Sequence, residues 1–325
     1  MNTQRRTVLQ SLMLAVATPG AWAQSSEPWP SKPLRIITGG PGSVTDIRAR
    51  WLAIRLAPAL GHPVVVENMP AAGGTIAAAE TIRSAPDGYT VLLYHQGIAA
   101  INPHLYTKPG YDPLRDLVGI TRFGHGPQLL VVPASLPVRN VAELVALARA
   151  KPGALNFGSP SNGTPPHIAS ELFVRMVGIQ ATHVPYRGGG PLMVALIGGQ
   201  LSWAIEGLTA TLPHVRSGAL RALAVSSARR SPSLPDIPTM AEAGVAGYEY
   251  EGWTGLAVAA ATPRPIVERL HAEIARIAAT PEARDWFLQS GSEAGTLSLT
   301  EMAAFVQREH ARFGQFIREA GLKAE

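Results

Sequence analysis

Two loops in this 325-residue chain bring together the residue types that hold anions. The first is GGPGSVTDIRAR, residues 39–50, which follows the apolar run LRII and leads into a helical pattern. The second is GSPSNGTPPH, residues 158–167, again set between a strand-like and a helix-like segment. Glycine-rich strand-to-helix loops leave backbone N–H groups unpaired where the positive end of a helix dipole points, so both are expected to hold a negative group. Chemistry on that group would need more. A nucleotide phosphate loop requires Gly-Lys-Ser or Gly-Lys-Thr, and the matching stretch here is Gly-Ser-Val-Thr, with no lysine to reach a terminal phosphate. A dinucleotide site fits better at first: Gly40 and Gly42 have the right spacing, and Glu67 ends the next strand. The third glycine, however, is replaced by Thr45, whose branched side chain would stand where helix and strand must pack closely.

No G-x-S-x-G string is present, and Ser159 and Ser161 have the wrong spacing from Gly158 and Gly163 for a nucleophile elbow. His167, one turn beyond them, reads as a first-turn helix residue and not as a general base. The nine histidines are scattered, no H-E-x-x-H occurs and cysteine is absent, so no metal or other cofactor is expected. Hydroxyls and free backbone N–H groups without an adjacent base and nucleophile suit holding a ligand better than transforming it.

The elements that must position these loops alternate. LRIITG and PVVVEN read as strands around a helix at 46–60, with Arg48, Arg50 and Arg55 expected on its wet side; a second helix follows in AAGGTIAAAETIRSA and a strand in GYTVLLYH. The same theme returns in LNFGSPSNGTPPHIASELFVRMVG and ATHVPY, and the strand starts lie 30 residues apart in the first unit (Leu34 to Val64) and 27 in the second (Leu155 to Thr182). Repeated βαβ units predict parallel sheets with helices on both faces, here as two lobes facing a cleft. Helices are expected at 265–279, 281–289 (Thr280 as N-cap, Pro281 at the first position) and 300–320, where Thr300 precedes Glu301.

Residues 1–23 have Arg5 and Arg6, an apolar stretch at 8–17 and the triplet Ala21-Trp22-Ala23, the layout of an export signal cut after Ala23. The paired arginines fit the twin-arginine route in part and leave it open against the general one. Removing the signal takes two arginines and no acid from a formal charge of +5, leaving +3, too weak and too dispersed for nucleic acid. Without cysteine, an exported chain of this length must be stabilised by its core.

Taken in order, Pro41-Gly42-Ser43-Val44-Thr45-Asp46 with Ala49-Arg50, then VVVENMPAAGG, DGYT, INPHL, YDPLRDL, GSPSNGTPPHIASELF, HVPYRGGGP, GGQ, LRALAV, LPDIPTMAEAG and GYEYEGWTGL, resemble the tripartite tricarboxylate transporter solute receptors, also called Bordetella uptake gene (Bug) proteins. The likeness runs from about Pro33 to Gly321. It implies a periplasmic receptor and not an enzyme, with the α/β architecture of type II periplasmic binding proteins: two α/β domains with a ligand cleft between them. The chain would cross near 122–125 and return near 251–254, giving domain 1 as 24–123 plus 252–325 and domain 2 as 124–251. The resemblance also implies a small organic carboxylate gripped by the first loop of each domain, and a membrane permease or a sensor kinase as partner for a monomeric receptor.

Carried over by position, the grip falls on Gly42, Ser43, Thr45 and Asp46 in the first domain and on Ser159, Asn162, Gly163 and Thr164 in the second, with Tyr186 and Glu206 as further cleft residues. Asp46 would repel a carboxylate, so capping its helix and orienting the loop is the role that its charge suits. The chain departs from the family pattern at Gly39 and Gly40, where Phe and Pro are usual, at Ser43 in place of a glycine, at Val194 in place of an aspartate, and at Glu206 in place of Asp. A carboxylate at Glu206 facing the cleft would disfavour a second carboxylate and favour a ligand with an amino, hydroxyl or amide group. An exported enzyme on the same scaffold, or a receptor that only reports to a sensor, remains the rival reading.

Overall fold

A computed structural model describes residues 29–323; the expected export signal lies outside the described residues. The elements in chain order are β1 (Leu34–Thr38), α1 (Val44–Leu60), β2 (Val64–Asn68), α2 (Thr75–Arg83), β3 (Thr90–His95), the short α3 (Asn102–Leu105) and α4 (Pro113–Asp116), and the long β4 (Leu117–Pro133). They continue with α5 (Val141–Ala150), β5 (Asn156–Ser159), α6 (Pro165–Val177), β6 (Thr182–Pro185), α7 (Gly189–Ile197), β7 (Trp203–Gly207), α8 (Leu208–Arg216) and β8 (Leu220–Val225). The chain ends in β9 (Glu251–Ala259), α9 (Arg264–Ala278), α10 (Pro281–Gln289), β10 (Glu293–Ala294) and α11 (Leu299–Ala320).

The two repeated units form as the spacing predicts. Leu34 of β1 lies opposite Val64 of β2, and Asn156 of β5 opposite Thr182 of β6, both in parallel pairs. Strands run in the order β2-β1-β3-β9-β4-β7-β5-β6, with β10 and β8 also on β4. The two parallel halves are joined through antiparallel β9 and β4, which are the crossing segments. β4 serves both halves: it pairs with β9 from Leu117 to Pro127, then with β7 and β8 from Gln128 onward.

Helices cover both faces. One core lies under α1, α9 and α10, with Leu52, Leu56, Phe123 and Phe287 fully enclosed. On the other face a continuous core runs from Ile98 and Phe313 to Phe157 and Trp203, and a third lies beneath α7 and α8. Buried aromatics of this size supply much of the apolar area that a cysteine-free chain must rely on.

Two local expectations change and one holds. Arg48 was expected on the wet side of α1, but its side chain is buried against the crossing strands. The last helix begins one residue earlier than the Thr300 reading, because Ser298 caps it: Ser298 Oγ accepts from Glu301 N while Glu301 returns a carboxylate to Ser298 N, a reciprocal capping box. At α10 the expected Thr280 cap forms, its hydroxyl accepting from Ala283 N at 3.1 Å.

Candidate ligand-binding site

The loop after β1 is built to present hydroxyls. Gly42 takes a left-handed φ of 73°, which a side chain would resist, and its N–H donates to Asp46 Oδ2 at 3.0 Å. Ser43 caps α1 by accepting from Asp46 N, donates its own proton to Gly40 O at 2.7 Å, and lies 2.8 Å from Thr45 Oγ1. Asp46 also accepts from Asn68 Nδ2 at 2.7 Å and Arg50 Nε at 3.0 Å. Its carboxylate is thus occupied in holding the loop and points away from a ligand's space.

The loop after β5 mirrors this arrangement. Ser161 O accepts from Ser159 Oγ at 2.9 Å and from Thr164 Oγ1 at 2.7 Å, and Gly163 N–H donates to His167 Nδ1 at 3.2 Å. Ser159 Oγ also lies 2.7 Å from His183 Nε2, a distance at which a nucleophile and its base could meet. The proton balance points the other way. Ser159 Oγ donates to Ser161 O at 2.9 Å, and in the His183 tautomer protonated at Nε2 the imidazole donates to the serine and does not act as its base. Ser159 is 0% exposed, and burial lowers the pKa of His183 to about 4 and of the stacked His167 to about 3. This cluster therefore braces the second loop.

Between the two loops lies a cavity of about 820 Å³, counting the space at its mouth. Its floor is formed by the crossing strands (Gly126, Pro127 and Gln128; Gly252, Trp253 and Thr254), and its walls by α1, α6 and the start of α8. Of the residues singled out from the sequence, Ser43, Thr45, Thr164 and Glu206 line it. The others stand behind it or beside it. Gly42 backs onto Gly190, and Asp46 and Ser159 are turned into their own loops. Asn162 O accepts from Tyr106 OH at 3.3 Å, Gly163 abuts Asn102, and Tyr186 packs on the core under α7.

The two halves touch above the cavity. Gly190 N–H donates to Pro41 O at 3.0 Å, and Gly73 N–H to Ser161 Oγ at 3.0 Å. Gly40 lies so close to the second half that a Cβ on it would come within 2.5 Å of Gly188 Cα. This is a closed arrangement, and the glycines at 40 and 188–190 are what let the two backbones meet.

Two groups that the sequence reading left out of the site, Arg48 and Gln128, lie inside together with the expected Glu206. Arg48, 4% exposed, donates through Nη1 to Thr254 Oγ1 at 2.8 Å and Gly124 O at 3.1 Å, while its Nε has no partner among the described residues. Burial lowers its pKa to about 9, so it stays cationic at neutral pH. Glu206, 2% exposed, accepts from Gly207 N through Oε1 at 2.8 Å; Oε2 is unpartnered, and burial raises its pKa to about 7. Gln128 Oε1 is also buried without a partner. The one available clue to Arg48 was helical spacing: it lies three residues after Thr45, hence on the face of α1 that points at the cavity. Among the described residues no group of His, Cys, Asp or Glu could hold a metal ion, and no helix is long and apolar enough to cross a membrane.

The comparisons with known proteins agree with this geometry. Residues 48–322 match the family described as tripartite tricarboxylate transporter family receptor. Protein BugT of Bordetella pertussis is 34% identical over 99% of this chain and 99% of its own length. Among solved structures, R. palustris Rpa4515 with adipate superposes with a TM-score of 0.88 at 35% identity, covering 91% of this chain and 99% of that one. MatC (Rpa3494) from Rhodopseudomonas palustris with bound malate gives 0.84 at 29% identity, covering 88% and 99%. With a family match that spans most of its length and near full-length relatives above 30% identity, the chain belongs to the tripartite tricarboxylate transporter receptor family.

Proposed function

We propose that this protein is an exported receptor that closes on a small organic carboxylate and presents it to a tripartite-type membrane permease. One observation carries the reading: hydroxyls from the corresponding loops of the two halves, Ser43 and Thr45 on one side and Thr164 on the other, converge on a single cavity that cross-lobe hydrogen bonds close over. The two helix N-termini stabilise an anion without neutralising it, with a dipole contribution of about 0.3–1 kcal/mol each, and the hydroxyls, which in this structure give their protons to Gly40 O, Ser43 Oγ and Ser161 O, add charge-assisted hydrogen bonds once they rotate toward it. The adipate and malate bound by two structural neighbours support a carboxylate here.

In this reading the protein works as two lobes, close to 24–123 plus 252–325 and 124–251, hinged where β4 leaves β9 for β7 and β8 between Pro127 and Gln128. Ligand contacts to both lobes favour the closed form. The receptor acts as a monomer after its signal is removed at Ala23 and holds its ligand without transforming it, in keeping with a buried Ser159–His183 pair that lies outside the cavity lining and braces the second loop.

A thermal-shift screen of organic acids tests the proposal. An acid at about 100 times its Kd should add roughly 2.7 kcal/mol, a clear rise in melting temperature. Ser43→Ala and Thr164→Ala should each lower the affinity for whichever acid binds. A screen in which no carboxylate moves the midpoint would reject the receptor reading.

A further inference from the structure

Helix α1 brings two polar groups to the cavity from one face, Thr45 and, one turn later, Arg48. The arginine is unusual for its lack of a counter-charge. No carboxylate among the described residues lies within 4 Å of it; its hydrogen-bond acceptors are the neutral Gly124 O and Thr254 Oγ1, and its guanidinium carbon sits 5.4 Å from the centre of the Phe287 ring. Removing a guanidinium from water is costly unless an anion and further hydrogen bonds compensate it. Glu206 lines the same cavity and would be the natural internal partner, yet no ion pair joins the two. Glu206 instead holds Oε2 unpartnered, and Gln128 adds a second unpartnered acceptor. One cavity thus contains a buried cation and, held apart from it, buried acceptors.

We propose that Arg48 is the counter-ion for the ligand's carboxylate and that Glu206 reads a hydrogen-bond donor on the same ligand. The receptor would therefore take hydroxy-, amino- or amido-substituted carboxylates in preference to unsubstituted dicarboxylates. This rests on the receptor reading above and sharpens it. The helix N-termini that follow the two loops can hold any carboxylate; Arg48 and Glu206 add a polarity that fixes which end of the ligand faces α1. A carboxylate on Arg48 supplies the missing charge and an acceptor for the guanidinium. A donor at Glu206 Oε2 satisfies the remaining lone pair, whereas a second carboxylate there meets a like charge or must leave Glu206 protonated. The wall is otherwise largely apolar, with Val44, Pro127, Pro165, Leu208 and Trp253 suited to a short hydrocarbon linker between the two ends.

Isothermal titration calorimetry tests this with acids differing in one group: succinate against malate and aspartate, and adipate against its monoamide and 6-aminohexanoate. The wild-type protein should bind the substituted acid of at least one set about tenfold more tightly than its parent. Arg48→Gln, which keeps a donor for Thr254, should weaken every acid that binds by about 30-fold or more, with Arg48→Lys in between. Glu206→Gln should erase the preference for substituted acids and leave the parent dicarboxylates bound as well or better. If Arg48→Gln binds within threefold of wild type, Arg48 is not the counter-ion, while the receptor reading stands. If the wild-type protein binds none of these acids but binds another, unsubstituted carboxylate from the thermal-shift screen, this proposal falls and the receptor reading stands; if no carboxylate binds at all, both fall. If circular dichroism finds Arg48→Gln unfolded, Arg48→Lys and Glu206→Gln decide, and wild-type preference in both overturns the proposal.

Discussion

Arg48 Nη1 and Thr254 Oγ1 lie 2.8 Å apart, a hydrogen bond between residues 206 positions distant in sequence that ties the first helix to the returning crossing strand. The bond orients a cation whose other contacts are a carbonyl and an aromatic ring, so it fixes the direction in which the guanidinium faces the cavity.

Thr254→Val preserves shape and removes this acceptor. A hydrogen bond to a charged group contributes about 1.5–3 kcal/mol, so urea denaturation should reveal a loss in that range. Ligand affinity should fall as well, because the arginine loses its orientation. An unchanged midpoint with unchanged affinity would mean that Gly124 O alone positions Arg48.

Glu206 gives the ligand-free protein a pH dependence of definite sign. Its folded pKa of about 7 stands above the model-peptide range, so between about pH 4.5 and 7 the folded state holds a proton that the unfolded state has lost. Stability from this group is therefore greatest in acid, declines as pH rises through that window and is level above it. Glu206→Gln should remove this decline: the variant gains on wild type at pH 8, by roughly 3 kcal/mol for a shift of this size, and gains little at pH 4. Urea midpoints at the two pH values measure the difference.

The buried histidines act in the opposite direction. His95 and His183 have pKa values lowered to about 4 and His167 to about 3, each chiefly by burial. Below about pH 6.5 the unfolded chain takes up these protons while the folded protein does not, so stability falls as pH drops from 6.5 toward 4. Three such groups outweigh Glu206, and the net profile should descend on the acid side. His183→Gln should flatten that descent by about one proton, read as the slope of unfolding free energy against pH between 4.5 and 6.

The βαβ repeats and the two loops were legible because each depends on local pattern: alternation, glycine placement and caps such as Thr280; the crossing strands were placed only through the family resemblance, and their antiparallel pairing comes from the structure. What escaped the sequence depends on how distant segments meet. The letters IRAR put Arg48 two residues before the half-exposed Arg50, and nothing nearby in sequence signals that Gly124 and Thr254 receive it. Asp46 and Ser159 have the residue types of a binding loop, but their side-chain oxygens are used inside the loops, and Asn162 meets the first half through its backbone carbonyl. Gly39, Gly40 and Ser43 are three of the positions where the chain departs from the family pattern. All three line the cavity, and Gly40 also meets the other half directly.

That meeting gives the most direct test of closure. Gly40 has no left-handed requirement, so an added methyl group acts through contact alone: its carbon would lie 2.5 Å from Gly188 Cα and 2.8 Å from Arg187 O, both backbone atoms that cannot rotate away. Gly40→Ala should leave the separate halves folded and the melting temperature of the ligand-free protein nearly unchanged if the lobes are free to stand apart in solution. It should reduce affinity for the protein's ligand tenfold or more, because the closed arrangement that contacts ligand from both sides becomes strained. Small-angle scattering separates this from a damaged pocket: on adding saturating ligand, the wild-type radius of gyration should contract and that of the variant should contract less. Equal contraction and equal affinity in the two proteins would show that the loop moves aside without opening the lobes, and that the contact between Gly40 and Gly188 does not control closure.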